Sequence, residues 1–361
     1  MKKILIISAY EQFGYHTDTY NYCIYLKNKF DITFMCLDRN LPKVHLEGID
    51  VKYIKKSNSK IIRLMRRIYH TISYLMFNSV DLVFIMNYSG CRLLKKIFKN
   101  KKMILDIRTT EINKDSTTRY KSNKKIIENI KEFDYITVIS EGVREYLNIP
   151  KEKSYILPLG GKTLITNGLE ENIFENKKLS LIYVGTFVER RIEDTIIAFN
   201  KISDKYKGKN LEYNLIGFFE NKEEEEKIIR LINNNNYNNI NFIGRVKNEE
   251  LGKYFMKSNI GISYIPITEY FDNQPPTKTY EYLFNGLFTI ATDTKENRKI
   301  INKTNGILID DTSDSFYNAL DAIYCSVNNI SRNEIIKSVE CYSWEKICNG
   351  LANYINSIIN K

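Results

Sequence analysis

Residues Asn273 to Ile301, NQPPTKTYEYLFNGLFTIATDTKENRKII, hold the densest set of groups able to do chemistry in this 361-residue chain. Pro275-Pro276 cannot continue a helix, so the chain arrives there extended. Thr277 then caps a short predicted helix, Lys278–Asn285, which Gly286 ends. Phe288-Thr-Ile-Ala-Thr follows as a buried strand that stops at Asp293. A helix N-terminus facing a cleft offers free backbone N–H groups and a positive dipole end to a diphosphate. Lys278 adds a full charge beside it. Glu281, one turn inside, is placed to accept both hydroxyls of a ribose. A capped surface helix with an exposed Glu is the plain alternative.

A second basic group lies in Tyr183-Val-Gly-Thr-Phe-Val-Glu-Arg-Arg-Ile-Glu-Asp, which reads as strand, glycine turn and helix start. Gly185 lets backbone approach a ligand, and Arg190 or Arg191 can offer a forked donor to phosphate oxygens. Spacing does not separate the two arginines. Near the N-terminus, Gln12-Phe-Gly-Tyr-His sits between a strand and a helix and contributes Gly14 and His16. Met103-Ile-Leu-Asp-Ile-Arg brings Asp106 and Arg108 to the end of a buried strand. Two charges there must pair with each other or with a ligand; a structural Asp106–Arg108 pair is the leading reading. No Ser/His/Asp order, phosphate-binding P-loop or G-x-G-x-x-G is present, so NAD binding has no support.

Apolar strand-like runs alternate with amphipathic helical stretches along the whole chain. Lys3–Ser8, Ile32–Leu37, Leu82–Met86, Met103–Ile107, Tyr135–Ser140 and Ser154–Leu159 form one series. Ser180–Gly185, Tyr213–Gly217, Ile240–Gly244, Ile260–Pro266, Phe288–Thr292 and Gly306–Ile309 form another. Such alternation predicts parallel sheets covered by helices on both faces, and two series predict two Rossmann-like α/β domains. The predicted domains are 1–165 and 172–335, joined by a Gly/Thr/Asn-rich segment, with a last helix at 342–361 returning to the first. The asparagine run Asn233–Asn235 reads as a solvated helix end. Ligands on open α/β sheets bind at the carboxyl ends of strands, so two facing domains create one cleft.

PTKTYEYLFNGLFTIATDTKENRKII resembles the "P-S/T-K-x-x-E-Y-x-x-x-G-x-P-V-I-A-T-D" signature of glycosyltransferase family 4, retaining GT-B enzymes that use nucleotide-sugar donors. The second Glu of that family's E-x7-E motif falls on Glu281; the first falls on Asn273. The Tyr183 segment is similar to the family's "Y-V-G-R/T" stretch, whose basic residue neutralises the leaving diphosphate. The family often has Arg where Thr186 stands. Gly217 and Gly244 match two further strand-end glycines, and the loop after the second places the Val246 backbone near the base. Gly14 occupies the place of a Gly-rich loop. Arg108 stands where many relatives have a His that contacts the donor sugar. Tyr342-Ser-Trp-Glu resembles the family's "Y-S-W-E" helix.

The resemblance implies catalytic roles for Arg190, Arg191, Lys278 and Arg108. It implies donor binding by Gly185, Thr186, Val246, Asn273, Thr277, Thr279 and Glu281, and an acceptor or phosphate loop at Gly14 and His16. It implies no metal and no cofactor beyond the nucleoside diphosphate sugar used as substrate. The acceptor would be a glycan or lipid-linked glycan of a bacterial surface polysaccharide such as capsule or lipopolysaccharide. A catalytically silent GT-B subunit and a GT-B sugar-nucleotide epimerase are the competing readings.

Composition agrees with a globular protein: 43% hydrophobic and 27% charged residues. Six scattered cysteines without a C-x-x-C pair, and three histidines without ligand spacing, argue against disulfides and structural zinc. The N-terminal apolar run is too short for a signal peptide and reads as a first strand, giving a cytoplasmic expectation. A net charge of +11 calls for an anionic partner, here nucleotide or phospholipid rather than nucleic acid. Lys55–Phe77 carries Lys55, Lys56, Lys60, Arg63, Arg66 and Arg67 within a helical apolar pattern, so peripheral contact with an anionic membrane competes with ordinary core packing.

Overall fold

The computed structural model describes residues 1–169, 172–234, 239–326 and 329–361; of the asparagine run, Asn235 lies outside the described residues. The chain divides into two compact units, Met1–Gly160 with Trp344–Lys361, and Gly161–Ser343. The division falls inside the paired glycines. Residues 161–165, which the sequence places in the first domain, and 342–343, which it places in the last helix, belong to the second unit, as do 336–341, which it assigns to no domain. Ile165 is buried in that unit's core, and the Tyr342 carbonyl accepts from the Gly161 N–H at 3.0 Å.

The first unit begins with β1 (Lys2–Ile7), α1 (Thr17–Leu26), β2 (Phe30–Asp38), β3 (Ile49–Lys55), α2 (Lys60–Phe77) and β4 (Leu82–Met86). It continues with α3 (Arg92–Ile97), β5 (Met103–Ile107), α4 (Ser116–Ile130), β6 (Tyr135–Val138), α5 (Glu141–Tyr146) and β7 (Ser154–Ile156). All seven strands are parallel, in the order β3-β2-β1-β4-β5-β6-β7. The central β4 and β5 are buried at every residue, which is why they read as uninterrupted apolar runs. The sequence series lacks β3, an edge strand. Its IDVKYIK buries only Ile49 and Ile54 fully, so it offers no apolar run to detect.

The second unit runs β8 (Leu179–Thr186), α6 (Ile192–Lys205), β9 (Leu211–Phe218), α7 (Lys222–Asn234), β10 (Ile240–Gly244), α8 (Leu251–Lys257) and β11 (Ile260–Ser263). Then come α9 (Glu269–Asp272), α10 (Thr277–Phe284), β12 (Phe288–Thr292), β13 (Gly306–Ile309), α11 (Ser313–Ser326) and α12 (Arg332–Ser338). Its sheet is parallel in the order β10-β9-β8-β11-β12-β13. The strand order reverses direction between β8 and β11, a switch point where the two crossover connections diverge and leave a crevice. Arg332 is buried and donates to the carbonyls of Asn285, Met256 and Ser258, tying α12 to the ends of α8 and α10.

The last helix, α13 (Trp344–Ile359), belongs to the first unit and lies along α1. Trp344 is 2% exposed and meets the Tyr22 ring edge-on, with centroids 6.0 Å apart. Tyr354 stacks on Tyr155 at 4.7 Å. Burial of this kind stabilises by about 2–3 kcal/mol per large side chain, so Trp344 is packing rather than a ligand contact.

Candidate functional site

In the second unit, β8 and β9 end side by side, with Gly185 opposite Gly217 in register. A Cβ at Gly217 would stand 1.8 Å from the Gly185 carbonyl oxygen, so this close strand end tolerates no side chain. The chain then turns through Glu189 (φ 56) and Arg191 (φ 48), both left-handed, on either side of Arg190. Two non-glycine residues in that region cost about 1 kcal/mol or more each and concentrate where a site must be shaped.

That turn separates the two arginines. Arg191 faces carboxylates: its guanidinium lies 2.6 Å from Asp194 and 3.4 Å from Asp311. Arg190 forms no ion pair among the described residues. It donates to the Val188 carbonyl at 3.3 Å, its Cζ stands 4.3 Å from the centre of the buried Phe271 ring, and its Nε is buried without a partner.

Helix α10 supplies the remaining charges. Pro276, extended at φ −77 and ψ 120, holds the cap position, and Thr277 is already the first helical residue. Thr277 therefore does not cap the helix as the sequence suggests: the proline ring sets the entry, and the cap residue gives the first amides no side-chain hydrogen bond. The helix ends at Asn285 and Gly286 as expected. Lys278 lies with its Nζ 3.7 Å from the Tyr183 ring centre, sealed from solvent and without a hydrogen-bond partner. The same Nζ is 3.7 Å from where a Cβ on Gly185 would stand. Burial, and then the nearby Arg190 charge, hold the Lys278 ammonium far below the usual lysine range, against the pull of Glu281. Burial pushes the Glu281 carboxyl up to about 7, with Lys278 drawing it back. Lys278, Arg190 and Glu281 form no ion pair among the described residues. A buried ammonium and a buried guanidinium Nε without hydrogen-bond partners, next to a half-buried carboxyl outside any ion pair among the described residues, are costly to the fold and mark a ligand site.

The other donor-site candidates fall in two groups. Thr186 borders the site: its carbonyl accepts from the Tyr183 hydroxyl at 2.8 Å and its Oγ1 from the Val188 N–H at 3.2 Å. Val246 packs on the cluster containing Ile182, Leu251 and Tyr282, and its own backbone N–H and C=O take no partner among the described residues. Thr279 is engaged internally, donating to Asn297 Oδ1 at 2.9 Å and meeting Ser263 Oγ at 2.7 Å. Asn273 ends α9, where its Oδ1 accepts from Lys295 Nζ at 3.3 Å.

In the first unit, a pocket of about 200 Å³ opens at the carboxyl ends of β1, β4 and β5, lined by residues that include His16, Asn87, Asp106 and Arg108. Gly14 shapes the loop beside it: its φ is +89, and a Cβ would lie 2.5 Å from Val44 Cγ2. His16 caps α1, its Nδ1 accepting from the Thr19 N–H at 3.4 Å, which assigns the proton to Nε2. Burial, reinforced by Arg108 and opposed by Asp18 and Glu11, lowers its pKa and keeps the ring neutral at pH 7.

Arg108 does not pair with Asp106. It lies beyond the end of β5 and donates through Nε to Asp18 of α1 at 2.8 Å and through Nη1 to the Leu157 carbonyl at 2.5 Å. Asp106, still inside β5, accepts from its cross-strand neighbour Thr137 at 2.7 Å and leaves Oδ2 buried without a partner. Burial pushes that carboxyl up to about 6, while Arg108 and the Thr137 hydrogen bond pull it down. Sequence reasoning missed Asp18, Tyr183 and Phe271. An acid in the first turn after the Gly14 loop is the one signal for Asp18; the two rings carry none.

Residues 178–326 match the family model described as glycosyl transferases group 1. No curated protein matches the chain in sequence. Among solved structures, a sucrose-phosphate synthase from Thermosynechococcus elongatus superposes with a TM-score of 0.75 at 14% identity, covering all of both chains. The lipopolysaccharide outer core galactosyltransferase WaaB gives 0.72 at 18% identity over 99% of each. Anabaena HepE in complex with UDP-glucose gives 0.72 at 10% identity over 99% of this chain and 100% of its own. The chain has the GT-B glycosyltransferase fold, and residues 178–326 match the glycosyl transferases group 1 family.

Proposed function

We propose that the protein is a retaining glycosyltransferase that moves a hexose-type unit from a nucleoside diphosphate sugar to a glycan or lipid-linked glycan, in bacterial surface polysaccharide synthesis at the inner face of the cell membrane. The observation that carries this reading is the sealed, unpartnered Lys278 ammonium beside the orphaned Arg190 Nε, at a helix start that no side chain caps. A diphosphate supplies what each of these groups lacks. Glu281 then takes the ribose hydroxyls, Gly185 and Thr186 let backbone approach the phosphates, and the Val246 backbone borders the base.

As the bond from sugar to diphosphate lengthens, negative charge grows on the leaving oxygen. Lys278 and Arg190 stabilise that charge from fixed positions in a dry site, where a preorganised cation is worth more than in water. The acceptor hydroxyl attacks from the face the diphosphate leaves and passes its proton to a departing diphosphate oxygen, which retains configuration without a protein nucleophile and gives these cations the role a metal ion would otherwise fill. The first unit's pocket with His16, Asp106 and Arg108 receives the acceptor.

The test is a panel of nucleotide sugars, UDP-glucose first because HepE is a fold relative solved with it, with release of nucleoside diphosphate as the readout. Wild type is expected to release diphosphate slowly from one donor. Glu281→Ala is expected to weaken donor binding by about 2–4 kcal/mol, the worth of charge-assisted bonds to two hydroxyls. Epimerised donor would replace this reading with the epimerase, and silence across the panel with the inactive subunit. Unchanged donor affinity in a folded Glu281→Ala protein would remove the assignment of that residue.

A further inference from the structure

Helix α2, KIIRLMRRIYHTISYLMF, leaves apolar side chains exposed that an ordinary surface helix would bury. It contains no Asp or Glu. The face toward the sheet carries Arg67, Thr71 and Leu75, its only buried residues. Thr71 Oγ1 meets Met35 Sδ at 3.4 Å, and Arg67, 5% exposed, lies 4.2 Å from the Tyr88 ring centre. Leu64, Ile68 and Ile72 are half-buried, but four large apolar side chains point out: Ile61 is 71% exposed, Met65 63%, Tyr69 68% and Met76 67%. At 100° per residue these four fall within a sector of about 80°, a continuous stripe along a helix of about 27 Å. Ile62 and Phe77 are exposed as well. A surface helix normally turns its apolar stripe to the core, and a contiguous exposed stripe marks an interaction site.

Ile62 and Phe77 widen the exposed apolar sector to about 160°, with Arg66 inside it and Arg63 about 40° past its edge. Lys60 and Arg63 open the helix, and Arg66 reaches back through Nη1 to the carbonyls of Lys55 and Lys56 at 3.2 and 3.3 Å, holding that basic pair beside the first turn. Arg67, which the sequence groups with them, is turned inward and takes no part. A second copy of this chain is a poor occupant, because α2 has no acid to meet these cations and two copies would oppose like charges. An anionic lipid surface matches both features, taking the apolar stripe below its headgroups and the cations among them. No helix among the described residues is long and apolar enough to cross a membrane, so α2 would lie in the interface plane.

We propose that α2 is an interfacial membrane helix, with Ile61, Met65, Tyr69 and Met76 entering an anionic leaflet while Lys60, Arg63 and Arg66 sit among its phosphates. The proposal rests on the first unit alone and stands or falls separately from the donor site.

The experiment is flotation of the full chain with phosphatidylcholine vesicles and with equimolar phosphatidylcholine–phosphatidylglycerol vesicles. Wild type should float with the anionic vesicles only, and less so as salt rises. Arg63→Gln/Arg66→Gln should partition about 30-fold more weakly, from about 1 kcal/mol per cation near the surface. Met65→Gln/Tyr69→Gln/Met76→Gln should lose binding at unchanged net charge; all three side chains are exposed, so thermal melts should match wild type. Lys207→Gln/Lys209→Gln, an equal charge change on exposed lysines elsewhere, should bind as wild type does. Absence of wild-type binding, equal binding by the α2 variants, or equal loss in the Lys207/Lys209 variant would overturn the proposal. So would a wild-type dimer in sedimentation velocity that the Met65/Tyr69/Met76 variant abolishes, which would make a second copy the occupant.

Discussion

Replacing Glu281 by Gln should make the protein more stable at alkaline pH while weakening its donor affinity. The folded carboxyl sits near 7 against an ordinary 4.5, raised by burial and only partly restored by Lys278. A carboxyl raised on folding favours its protonated form in the native state. Its contribution is intact below 4.5 and is lost as pH rises toward 7, after which the penalty is constant. A gap of about 2.5 pH units at 1.36 kcal/mol each gives about 3 kcal/mol at pH 9 and about 1 kcal/mol at pH 5. For a unit of this size each kcal/mol moves the midpoint by about 2–4 °C, so Glu281→Gln should melt about 6–12 °C above wild type at pH 9. At pH 5 the gap should shrink to about 2–4 °C. The assay is a pair of thermal melts at the two pH values, repeated with the nucleotide sugar that stabilises wild type. A difference independent of pH, or a variant that melts below wild type at pH 9, would refute the claim that Glu281 is held desolvated and unpartnered for a ligand.

Three further variants test the structure. Lys278→Met should stabilise the fold at pH 6, because the lowered native pKa penalises the cation as pH falls, and the gap should close toward pH 10. Turnover in that variant should drop about 10²–10³-fold, read from diphosphate release under saturating donor. Asp18→Asn strands the buried Arg108 guanidinium and should cost about 3–5 kcal/mol in urea unfolding, more than an exposed ion pair could. Gly14→Ala must adopt φ +89 with its Cβ against Val44, and should lose about 2–4 kcal/mol by the same measurement.

The division between what the chain encodes locally and what folding decides is visible residue by residue. Helix α10, its proline entry and its Gly286 exit are legible because they depend on neighbours within four positions. The buried strands are legible because a parallel strand covered on both faces must be apolar throughout. Lys278 and Glu281, three apart on one short helix, share a face by helical geometry alone. The edge strand β3 escaped because only Ile49 and Ile54 of its seven residues are buried, so it offers no apolar run. Arg190 and Arg191 are adjacent and chemically identical; only the left-handed turn around Arg190 and the carboxylates from α6 and the loop after β13 tell them apart. Arg108 takes Asp18, ninety residues away, over Asp106 two residues away, because β5 ends between them. The same limit holds for α2. A helical period states which side chains share a face, and the basic, apolar helical pattern of Lys55–Phe77 was readable as such. Which face the sheet would cover was not, because that depends on the shape and polarity of the surface beneath, here one that accepts Arg67 and Thr71.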